Sequence, residues 1–563
     1  MRIRSRTLGV LLAVGVLIGG LGVVAARLTT VVIPAAGGTY VEGVAGSVSA
    51  INPILCQYNQ VDQDLVSLVF NGLTTTDAKG VIIPDLAERW EISSDGLRYT
   101  FHLRPGVVWH DGAPFTSTDV KFTIQAMQDP DYQGPPELSN LWRPIKVDTP
   151  DPLTVVFTLP EPFSPFLEYT TQRLLPSHLL AGVAPKLLPT SEFNAHPIGT
   201  GPYRVAETTA HYVILEANKS YYGPRPYISR IQFSFYPDRD SLFAAQRRGE
   251  VAGIGQVLPD TLAEVKKDPK LNLYSAPYAG YTMVFLNLKR PIFQDAAVRR
   301  ALWQAIDRQG LIDRYLSGQG IVLNGPILPN SWAYDPNLPK VEYDPKAAAA
   351  ALDAAGWRDD KGEGVRSKDG NRLEFTLLTN DDDPVRLQMI NEIAQSWAAI
   401  GVRAKPQAIG MAELVRDHLY KREYDAVLYG WDLPAADPDP YPLWHSSQAT
   451  EDGQNYVSYI DATSDSLLEQ ARRTADYNQR AALYRDFQRR FVEQAPALLL
   501  YQPIYNYAVD RQVKGVQIPP LLSTGDRFHS VTDWYIATRR VLLSQASASL
   551  QLKFTPPTAS PNK

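Results

Sequence analysis

One uncharged segment near the amino terminus constrains this chain more than any other feature. Arg2, Arg4 and Arg6 precede an apolar stretch of 19 residues, Leu8–Ala26, which Arg27 closes. The apolar part of a secretory signal is usually about 7–15 residues long and a membrane-spanning helix about 20, so the stretch fits a long signal peptide or an uncleaved anchor. The leading arginines hold their end in the cytoplasm. We therefore expect everything after Arg27 to lie outside the cytoplasm, in the periplasm or at the cell surface.

The two ends of the chain are predicted to stand apart from one large folded body. Residues 1–36 are expected to form the signal peptide or membrane anchor, and a tether to the inner membrane through residues 8–26 stays open. Residues 546–563 are rich in Ser, Ala and Pro and are predicted to be a flexible tail. No other segment of the sequence is apolar for long enough to span a bilayer.

The composition excludes several classes of protein. Hydrophobic residues make up 44% of the 563 positions and charged residues 20%, which is enough to bury large cores and excludes wholesale disorder. The 55 basic and 60 acidic side chains give a net charge of −5, without the basic excess that nucleic-acid binding requires. Cys56 is the only cysteine, so the chain has neither an internal disulfide framework nor a Cys-rich metal site.

Helical and strand patterns alternate along the body, which indicates an α/β or α+β fold. Alternating apolar residues predict a strand at 98–103, and 154–159 and 374–379 look similar. Asp295 is placed to cap one helix, and Asp344-Pro345 opens an alanine-rich helix that stops at Gly356. A longer helix is predicted from about Ser464 to Gln494.

Signatures of catalysis are weak. The sequence has no Gly-x-Ser-x-Gly elbow, phosphate-binding loop or His-Glu-x-x-His helix, and Gly199-Thr-Gly201 is interpreted as a turn. Three carboxylates, Asp432, Asp437 and Asp439, lie within eight residues and could act as an acid/base pair or bind calcium. The alternative is a proline-stiffened loop whose aspartates cap turns. We predict no catalytic residue, no metal site and no cofactor.

Aromatic residues of the last third suggest a binding cleft instead. The residues concerned are Trp431, Tyr441, Trp444, Tyr501, Tyr505 and Tyr507. Large amphipathic rings beside carboxylates suit a cleft that holds an organic ligand by apolar contact and a few polar anchors. Each ring taken alone is more often part of a core.

A series of motifs resembles bacterial extracellular solute-binding proteins of family 5, the oligopeptide-, dipeptide- and nickel-binding receptors of ABC importers. The matching segments are Pro84 to Trp90, Ser94 to Gly112, Pro114 to Phe122, Ile198 to Tyr203, Leu286 to Phe293, Val298 to Leu302 with Ala305 to Asp307, Tyr343 to Lys346 with Ala355 to Trp357, and Tyr424-Asp425 to Gly430-Trp431. They follow one another in order from about Gly38 to Val541, so the resemblance covers nearly the whole body.

The resemblance implies a class II periplasmic-binding-protein fold, in which two lobes close on a ligand and an extra domain is inserted. By this likeness lobe I combines residues 37–75, 197–288 and 509–545. The inserted domain is 76–196 and lobe II is 289–508. Affinity would be coupled to closure of the lobes about a hinge.

The resemblance also implies residues for the ligand site. Trp431 matches the family's cleft tryptophan, Tyr507 and its neighbour Tyr505 fall near a tyrosine of peptide sites, and Gln57, Tyr58 and Asn59 lie in a segment that lines the cleft. The family's peptide binders hold the ligand's α-ammonium with an aspartate three positions after Gly-Trp, where this chain has Pro434. Asp432 or Asp437 is expected to take over that role, because a carboxylate in a closed cleft pairs strongly with a cation.

Three functions are therefore weighed. The first is a monomeric, non-enzymatic receptor that delivers peptides to an ABC permease and its ATPase subunits. The second keeps the fold but changes the ligand to an oligosaccharide, a metal chelate or another small solute, since function lies in the site and not in the fold. The third is an exported hydrolase that uses Asp432, Asp437 or Asp439.

Overall fold

The computed structural model describes residues 30–78, 80–433, 437–451, 453–542 and 545. The predicted signal or anchor at 8–26, the predicted tail at 546–563 and Pro434 lie outside the described residues. Within the described ranges, no helix combines the length and the apolar character needed to cross a bilayer.

The strands form one large mixed sheet and several small antiparallel ones. Their bounds are β1 Thr30–Pro34, β2 Thr39–Ala45, β3 Thr74–Thr76, β4 Ile82–Pro84, β5 Ala87–Ile92, β6 Arg98–Leu103, β7 Lys146–Asp151, β8 Thr154–Thr158, β9 Tyr203–Thr208, β10 Tyr212–Ala217, β11 Arg230–Tyr236, β12 Gly253–Ile254, β13 Leu271–Pro277, β14 Gly280–Leu286, β15 Gly320–Val322, β16 Ser367–Lys368, β17 Asn371–Arg372, β18 Glu374–Asn380, β19 Arg403–Ile409, β20 Ala426–Asp432, β21 Ala497–Asp510 and β22 Thr538–Leu542.

Helices of six or more residues lie between these strands, and Ser117–Gln128 packs against the small four-stranded sheet. Their bounds are α1 Gln60–Val69, α2 Ser117–Gln128, α3 Pro136–Trp142, α4 Arg239–Arg248, α5 Leu262–Lys267, α6 Ala296–Gln304, α7 Arg308–Tyr315, α8 Pro345–Ala354, α9 Pro384–Ala398, α10 Ala462–Arg473 and α11 Tyr477–Gln494. Other helical segments connect them, among them the short turns Cys56–Tyr58 and Tyr441–Trp444 and the π-helical Leu414–Leu419.

The large sheet runs through both halves of the molecule. Its order is β19-β18-β20-β14-β21-β12-β2-β11-β10-β9, with β13 and β15 paired to β21 as well. Strand β21 is shared: its first part pairs with β14 and β15, and its second part pairs with β13 and β12. Parallel pairs join β18 to β19 and β20, and β2 to β11 and β12, which is the mixed α/β arrangement that the sequence predicts.

Two main cores divide this sheet into two lobes. Buried side chains between Ala279 and Tyr501 pack into one core, and we call residues 279–501 the carboxyl-terminal lobe. A second core joins residues from Tyr40 to Ala276 with residues from Tyr505 to Trp534, and we call these segments the amino-terminal lobe. Strand β14 thus packs in the carboxyl-terminal lobe and Tyr505 and Tyr507 pack in the amino-terminal lobe, whereas the sequence assigned 197–288 to lobe I and 289–508 to lobe II. The other predicted domain ranges stay a prediction.

The amino-terminal lobe carries an additional small sheet within 76–196. Strands β5, β6, β8 and β7 pair antiparallel in that order. Helix α2 begins at a capping box in which Thr116 and Asp119 bond to each other's backbone, and its Val120, Ile124 and Met127 are buried.

The predicted helices are largely confirmed, with one correction. Asp295 caps α6, and Asp344 caps α8 with Pro345 in its first turn. The single long helix expected between Ser464 and Gln494 is wrong, because the chain forms α10 and α11 instead. Asp476 accepts a hydrogen bond from the Gln479 amide and starts the second helix afresh.

The ends of the body lie side by side. Strand β1 pairs antiparallel with β22 along their whole length, from Thr30 opposite Leu542 to Pro34 opposite Thr538. Ile33 is buried against the body, whereas Val32 and Leu542 are 51% and 48% exposed. The first described residues thus pair with the last described strand.

The Gly199-Thr-Gly201 motif is a close-packing device. A Cβ at Gly199 would come within 1.9 Å of the Val69 carbonyl oxygen, and one at Gly201 within 2.4 Å of that of Leu68. The same loop holds His110, whose Nδ1 accepts from the Gly199 amide at 3.1 Å and whose Nε2 lies 3.1 Å from the Gly201 carbonyl. These two bonds require a neutral ring, and burial lowers the pKa of His110 to about 4.

This neutral histidine predicts acid sensitivity. The ordinary pKa of histidine is about 6.5, so the unfolded chain takes up a proton first, and the stabilisation present above that pH is lost as the pH falls toward 4. We expect the free energy of unfolding of the natural protein, relative to His110→Gln, to fall by roughly 3 kcal/mol between pH 7 and pH 4. Urea unfolding of both proteins across this range measures it, and a constant difference would contradict the assignment.

Candidate ligand-binding cleft

The two lobes meet beside the end of strand β20, and we take this junction as the candidate ligand-binding cleft. Trp431 and Asp432 end β20 in the carboxyl-terminal lobe. The Asp432 carboxylate lies 3.3 Å from the hydroxyl of Tyr278, which stands in the crossing between β13 and β14. At another point the lobes touch directly, because the Ser164 amide donates to the Arg472 carbonyl at 2.7 Å. The end of β20 therefore lies beside the chain crossing that joins the lobes.

Asp432 is the best-placed carboxylate of this cleft. Gly280 is its partner across the strand pair, and a Cβ there would come within 2.8 Å of the Trp431 carbonyl and 3.1 Å of an Asp432 carboxylate oxygen. The Asp432 side chain is exposed, yet the protein around it raises the pKa of its carboxyl, an effect that Tyr278 and Arg386 offset in part. In the described part of the chain Asp432 has no ion-pair partner closer than 4 Å. It is available to a ligand cation.

Arg386 supplies a positive charge close by. Its Nη1 donates to Asn380 at 2.8 Å, its Nε lies 3.3 Å from Asp383, and its guanidinium lies 5.0 Å from the Tyr429 ring centroid. Because Gly430 lacks a side chain, the guanidinium can lie against β20: a Cβ there would meet Arg386 at 2.7 Å. Cation and carboxylate thus flank the same stretch of strand.

Trp431 belongs to an aromatic wall beside this pair of charges. Its ring lies 5.1 Å from that of Tyr456, and the Tyr456 ring in turn stacks on Tyr420 at 5.8 Å. Trp431 is only partly buried, whereas Tyr456 is packed in the core of its lobe. Trp431 and the 45% exposed Tyr420 present ring surface outward, whereas Tyr456 packs behind them, and the cleft role of Trp431 stays a prediction.

The predicted residues of the amino-terminal lobe divide between exposed and structural positions. Tyr58 is 78% exposed and lies near Tyr420 of the other lobe. Asn59 caps α1, its side chain accepting from the Val61 and Asp62 amides. The side-chain nitrogen of Gln57 donates to the Pro53 carbonyl at 3.3 Å. The side-chain oxygen of Gln57 is buried and has no hydrogen-bond partner among the described residues.

Asp437 and Asp439 serve the structure of the carboxyl-terminal lobe and not the cleft. Asp437 is buried and hydrogen-bonded to Arg480. Asp439 makes two hydrogen bonds to Arg472, at 2.9 and 2.6 Å. Asp437 is therefore committed to an internal ion pair and does not replace the family's amine-binding residue in this structure. An acid/base pair between these carboxylates finds no support either, and the described residues contain no cluster of metal-ligating side chains.

Tyr505 and Tyr507 are buried in the amino-terminal lobe. Tyr507 donates to Glu42 at 2.9 Å and lies 2.5 Å from the Tyr40 hydroxyl. Tyr505 is 5% exposed. Both belong to a core and to its buried polar network, so we do not place them in contact with a ligand.

Sequence reasoning missed several residues of the cleft. They are Tyr278, Arg386 and Tyr420. Nothing local marks them, because they come from three separate segments. Gly280 and Gly430 are the available signal, since a glycine inside a strand indicates the close approach of other atoms.

Fold and cleft define the class of the protein: a two-lobed α/β binding protein whose cleft lies beside a shared strand. The sequence model of one family, described as bacterial extracellular solute-binding proteins, family 5 Middle, matches residues 81–453 of this chain. The chain belongs to this family of solute-binding receptors.

Three relatives illustrate the range of the family. The oligopeptide-binding protein AppA of Bacillus subtilis is 30% identical over 512 residues, which are 90% of this chain and 92% of AppA. Its structure in complex with a nonapeptide superposes with a TM-score of 0.73 over 90% of this chain and 100% of that one. The dipeptide-binding protein of Escherichia coli is 30% identical and covers 85% and 94% of the two chains. NikZ of Campylobacter jejuni, in complex with Ni(L-His), is 31% identical, with a TM-score of 0.74 over 88% and 99%.

Proposed function

We propose that this protein is the extracytoplasmic substrate-binding receptor of an ABC importer, that it binds peptides between its lobes and that it delivers them unchanged to a membrane permease. The observation that carries the proposal is the end of β20, where Asp432 and Trp431 face the cleft. A solvent-accessible carboxylate beside an aromatic face suits a protonated amine attached to an organic body. The peptide-binding relatives over almost the whole chain support the same ligand class.

The test is to identify what the purified protein carries. Full-length protein in detergent is analysed by native mass spectrometry and then denatured, and the released molecules are sequenced. A ladder of short peptides is the expected result. A single sugar or metal chelate would keep the receptor role and overturn the peptide assignment. Catalytic turnover of an added peptide would instead revive the hydrolase hypothesis.

A nickel chelate is a second candidate ligand, because NikZ in complex with Ni(L-His) is as similar to this chain as the peptide binders. Arg386 beside Asp432 suits a zwitterion such as an amino acid, whether free or bound to a metal. Elemental analysis of the same preparation separates the two ligands, since a peptide carries no nickel.

Trp431→Ala is expected to weaken the binding of the released ligand by about 5- to 30-fold, because the ligand loses one aromatic face. Isothermal titration calorimetry measures the change. Trp90→Ala, on strand β5 of the small sheet, is the control for loss of a tryptophan elsewhere. Unchanged affinity in Trp431→Ala would remove this residue from the site.

We also propose that residues 8–26 stay in the membrane and tether the receptor. Strand β1 begins three residues after Arg27 and is held by β22 along its length, so a tether would be fixed to the body without a long linker. Carbonate extraction of membranes tests the tether, which predicts that the protein remains in the pellet.

A further inference from the structure

The two ends of the body form a separate two-stranded ribbon that the receptor role does not use. Strands β1 and β22 pair with each other and, within the described ranges, with no other strand, and we call them the terminal ribbon. At its base the Ala35 amide donates to the Ala537 carbonyl at 2.9 Å. Its opposite end, the tip, is the pair of Thr30 and Leu542. The ribbon thus has a base, where the chain enters and leaves the body, and a tip.

From the tip toward the base, apolar rows come first and arginine rows follow. The paired residues, in this order, are Thr30 and Leu542, Val31 and Val541, Val32 and Arg540, and Ile33 and Arg539. Successive rows lie about 3.3 Å apart along the strands, so the two arginines stand roughly 7–10 Å behind the tip. Neither strand contains an acidic residue.

The outward face of the ribbon is exposed and amphipathic. Alternate rows point to the same side of a pair of strands. On the outward side Val32 is 51% exposed and Leu542 48%, and Arg540 is exposed with them, whereas Ile33 on the other side is buried. Arg539 is exposed too, and no carboxylate of the described residues lies within 4 Å of either arginine. Both guanidinium groups are therefore available to an anion.

The sequence places the tip next to the predicted membrane segment. Arg27 closes the apolar stretch and comes three residues before Thr30. Three residues of extended chain span at most about 11 Å. If residues 8–26 stay in the bilayer, the tip of the ribbon must therefore lie at the membrane surface.

A bilayer interface fits this order of side chains. Apolar side chains gain free energy at the boundary between headgroups and acyl chains, and arginines a few ångströms behind them reach the phosphate groups. A guanidinium donates paired, charge-assisted hydrogen bonds to a phosphate. The whole chain has a net charge of −5, so an anionic surface attracts the body only where cations are concentrated locally.

We propose that the terminal ribbon is a membrane-contact element, in which Val32 and Leu542 lie on the lipid surface while Arg539 and Arg540 bind phospholipid headgroups. This contact rests on the tether proposed for residues 8–26 and is independent of the ligand. A tether alone leaves the body free to turn, whereas a second contact at the ribbon fixes the orientation of the body above the bilayer.

Spin labels along the ribbon measure its depth. Full-length protein is reconstituted in nanodiscs of phosphatidylcholine and phosphatidylglycerol in equal amounts, with a nitroxide on Leu542→Cys at the tip or on Thr538→Cys at the base. Cys56 does not compete for the label, because it is buried and burial raises the pKa of its thiol to about 12. Oxygen dissolved in the lipid is expected to reach the tip label at least about twofold more than the base label, and a water-soluble nickel chelate correspondingly less. Equal accessibilities at both positions would overturn the contact.

Charge variants assign the headgroup role to the arginines. In Arg539→Gln/Arg540→Gln, or with phosphatidylcholine alone, the tip label should approach the accessibility of the base label, since each arginine favours contact with an anionic surface about fivefold. Arg247→Gln/Arg248→Gln, on the exposed part of α4, removes the same charge and should leave the tip label unchanged. A tip label that keeps its depth in Arg539→Gln/Arg540→Gln would refute headgroup binding by these residues.

Three further outcomes separate the ribbon from the other proposals. If carbonate releases the protein from membranes, the tether and the ribbon contact fail together and the receptor role stands. If the protein stays in the pellet and binds its ligand while both labels are equally open to water, the ribbon contact fails alone. A tip that is open to water in nanodiscs and shielded only when the permease is present would replace the lipid by a protein partner and overturn the proposal.

Discussion

Replacing Arg527 with methionine is expected to lower the free energy of unfolding by about 3–5 kcal/mol. The Arg527 guanidinium is buried between two carboxylates, donating to Glu42 at 2.8 Å and to Asp64 at 2.6 and 2.7 Å. All three side chains are at most 2% exposed. The methionine side chain fills the same space but leaves two charges in the core without a cation.

The pH dependence distinguishes lost charge from lost packing. Burial raises the pKa of Glu42, and the Arg527 charge partly offsets this rise. Without Arg527 that pKa rises further, so the folded variant takes up a proton more readily than the natural protein. The loss in free energy of unfolding caused by Arg527→Met should therefore become smaller as the pH falls.

Urea unfolding at pH 7 and pH 5 measures both effects. Arg540→Met, on the exposed strand β22, is the matched control and should change stability by less than about 0.5 kcal/mol. The double variant Arg527→Met with Glu42→Gln should recover part of the loss. If Arg527→Met lowers the free energy of unfolding equally at both pH values, then Arg527 contributes packing and not charge.

Asp432→Asn is expected to produce the largest loss of ligand affinity. Asparagine keeps the shape of the side chain and removes the charge that would pair with a protonated amine. Loss of one partner of a charge pair that becomes enclosed when the lobes close on the ligand costs about 2–4 kcal/mol, or roughly 30- to 1,000-fold in affinity. Calorimetry with trialanine measures it, and Asp360→Asn, in an exposed loop, serves as the control.

An N-acetylated peptide tests whether Asp432 pairs with the amino group of the ligand. Acetylation removes the amine charge, so the natural protein should lose affinity for acetyl-trialanine while Asp432→Asn loses little more. Affinity of the natural protein for trialanine should also fall with decreasing pH, beginning above the ordinary range of an aspartate because the pKa of Asp432 is raised. Additive losses from acetylation and substitution would place the amine elsewhere.

Much of the architecture could be predicted from the sequence, because it depends on local patterns and ordered motifs. Asp295 and Asp344 cap helices where their spacing from apolar residues predicts it. The break between α10 and α11 could not be foreseen, since apolar spacing continues across Thr474–Asp476 and the cap at Asp476 decides the outcome. Local pattern fixes the type of element more firmly than its length.

The cleft was only partly predictable. Trp431 and Asp432 could be named because they follow a motif along one strand. Asp437 and Tyr507 could not be excluded, since their partners Arg480 and Glu42 are 43 and 465 residues away in the sequence.

Strand β21 has a mechanical consequence. Its partners change between Tyr501, opposite Thr282 of β14, and Ile504, opposite Pro277 of β13. At this change the Tyr278 amide donates to the Pro503 carbonyl, and the side-chain amide of Gln502 donates to the Tyr278 carbonyl. Two adjacent, hydrogen-bonded chain segments thus join the lobes, so a rotation of one lobe against the other would twist the backbone around Tyr278. Because the Tyr278 hydroxyl also lies 3.3 Å from the Asp432 carboxylate, the residue that we propose to bind the ligand's amine contacts the segment about which the lobes would rotate.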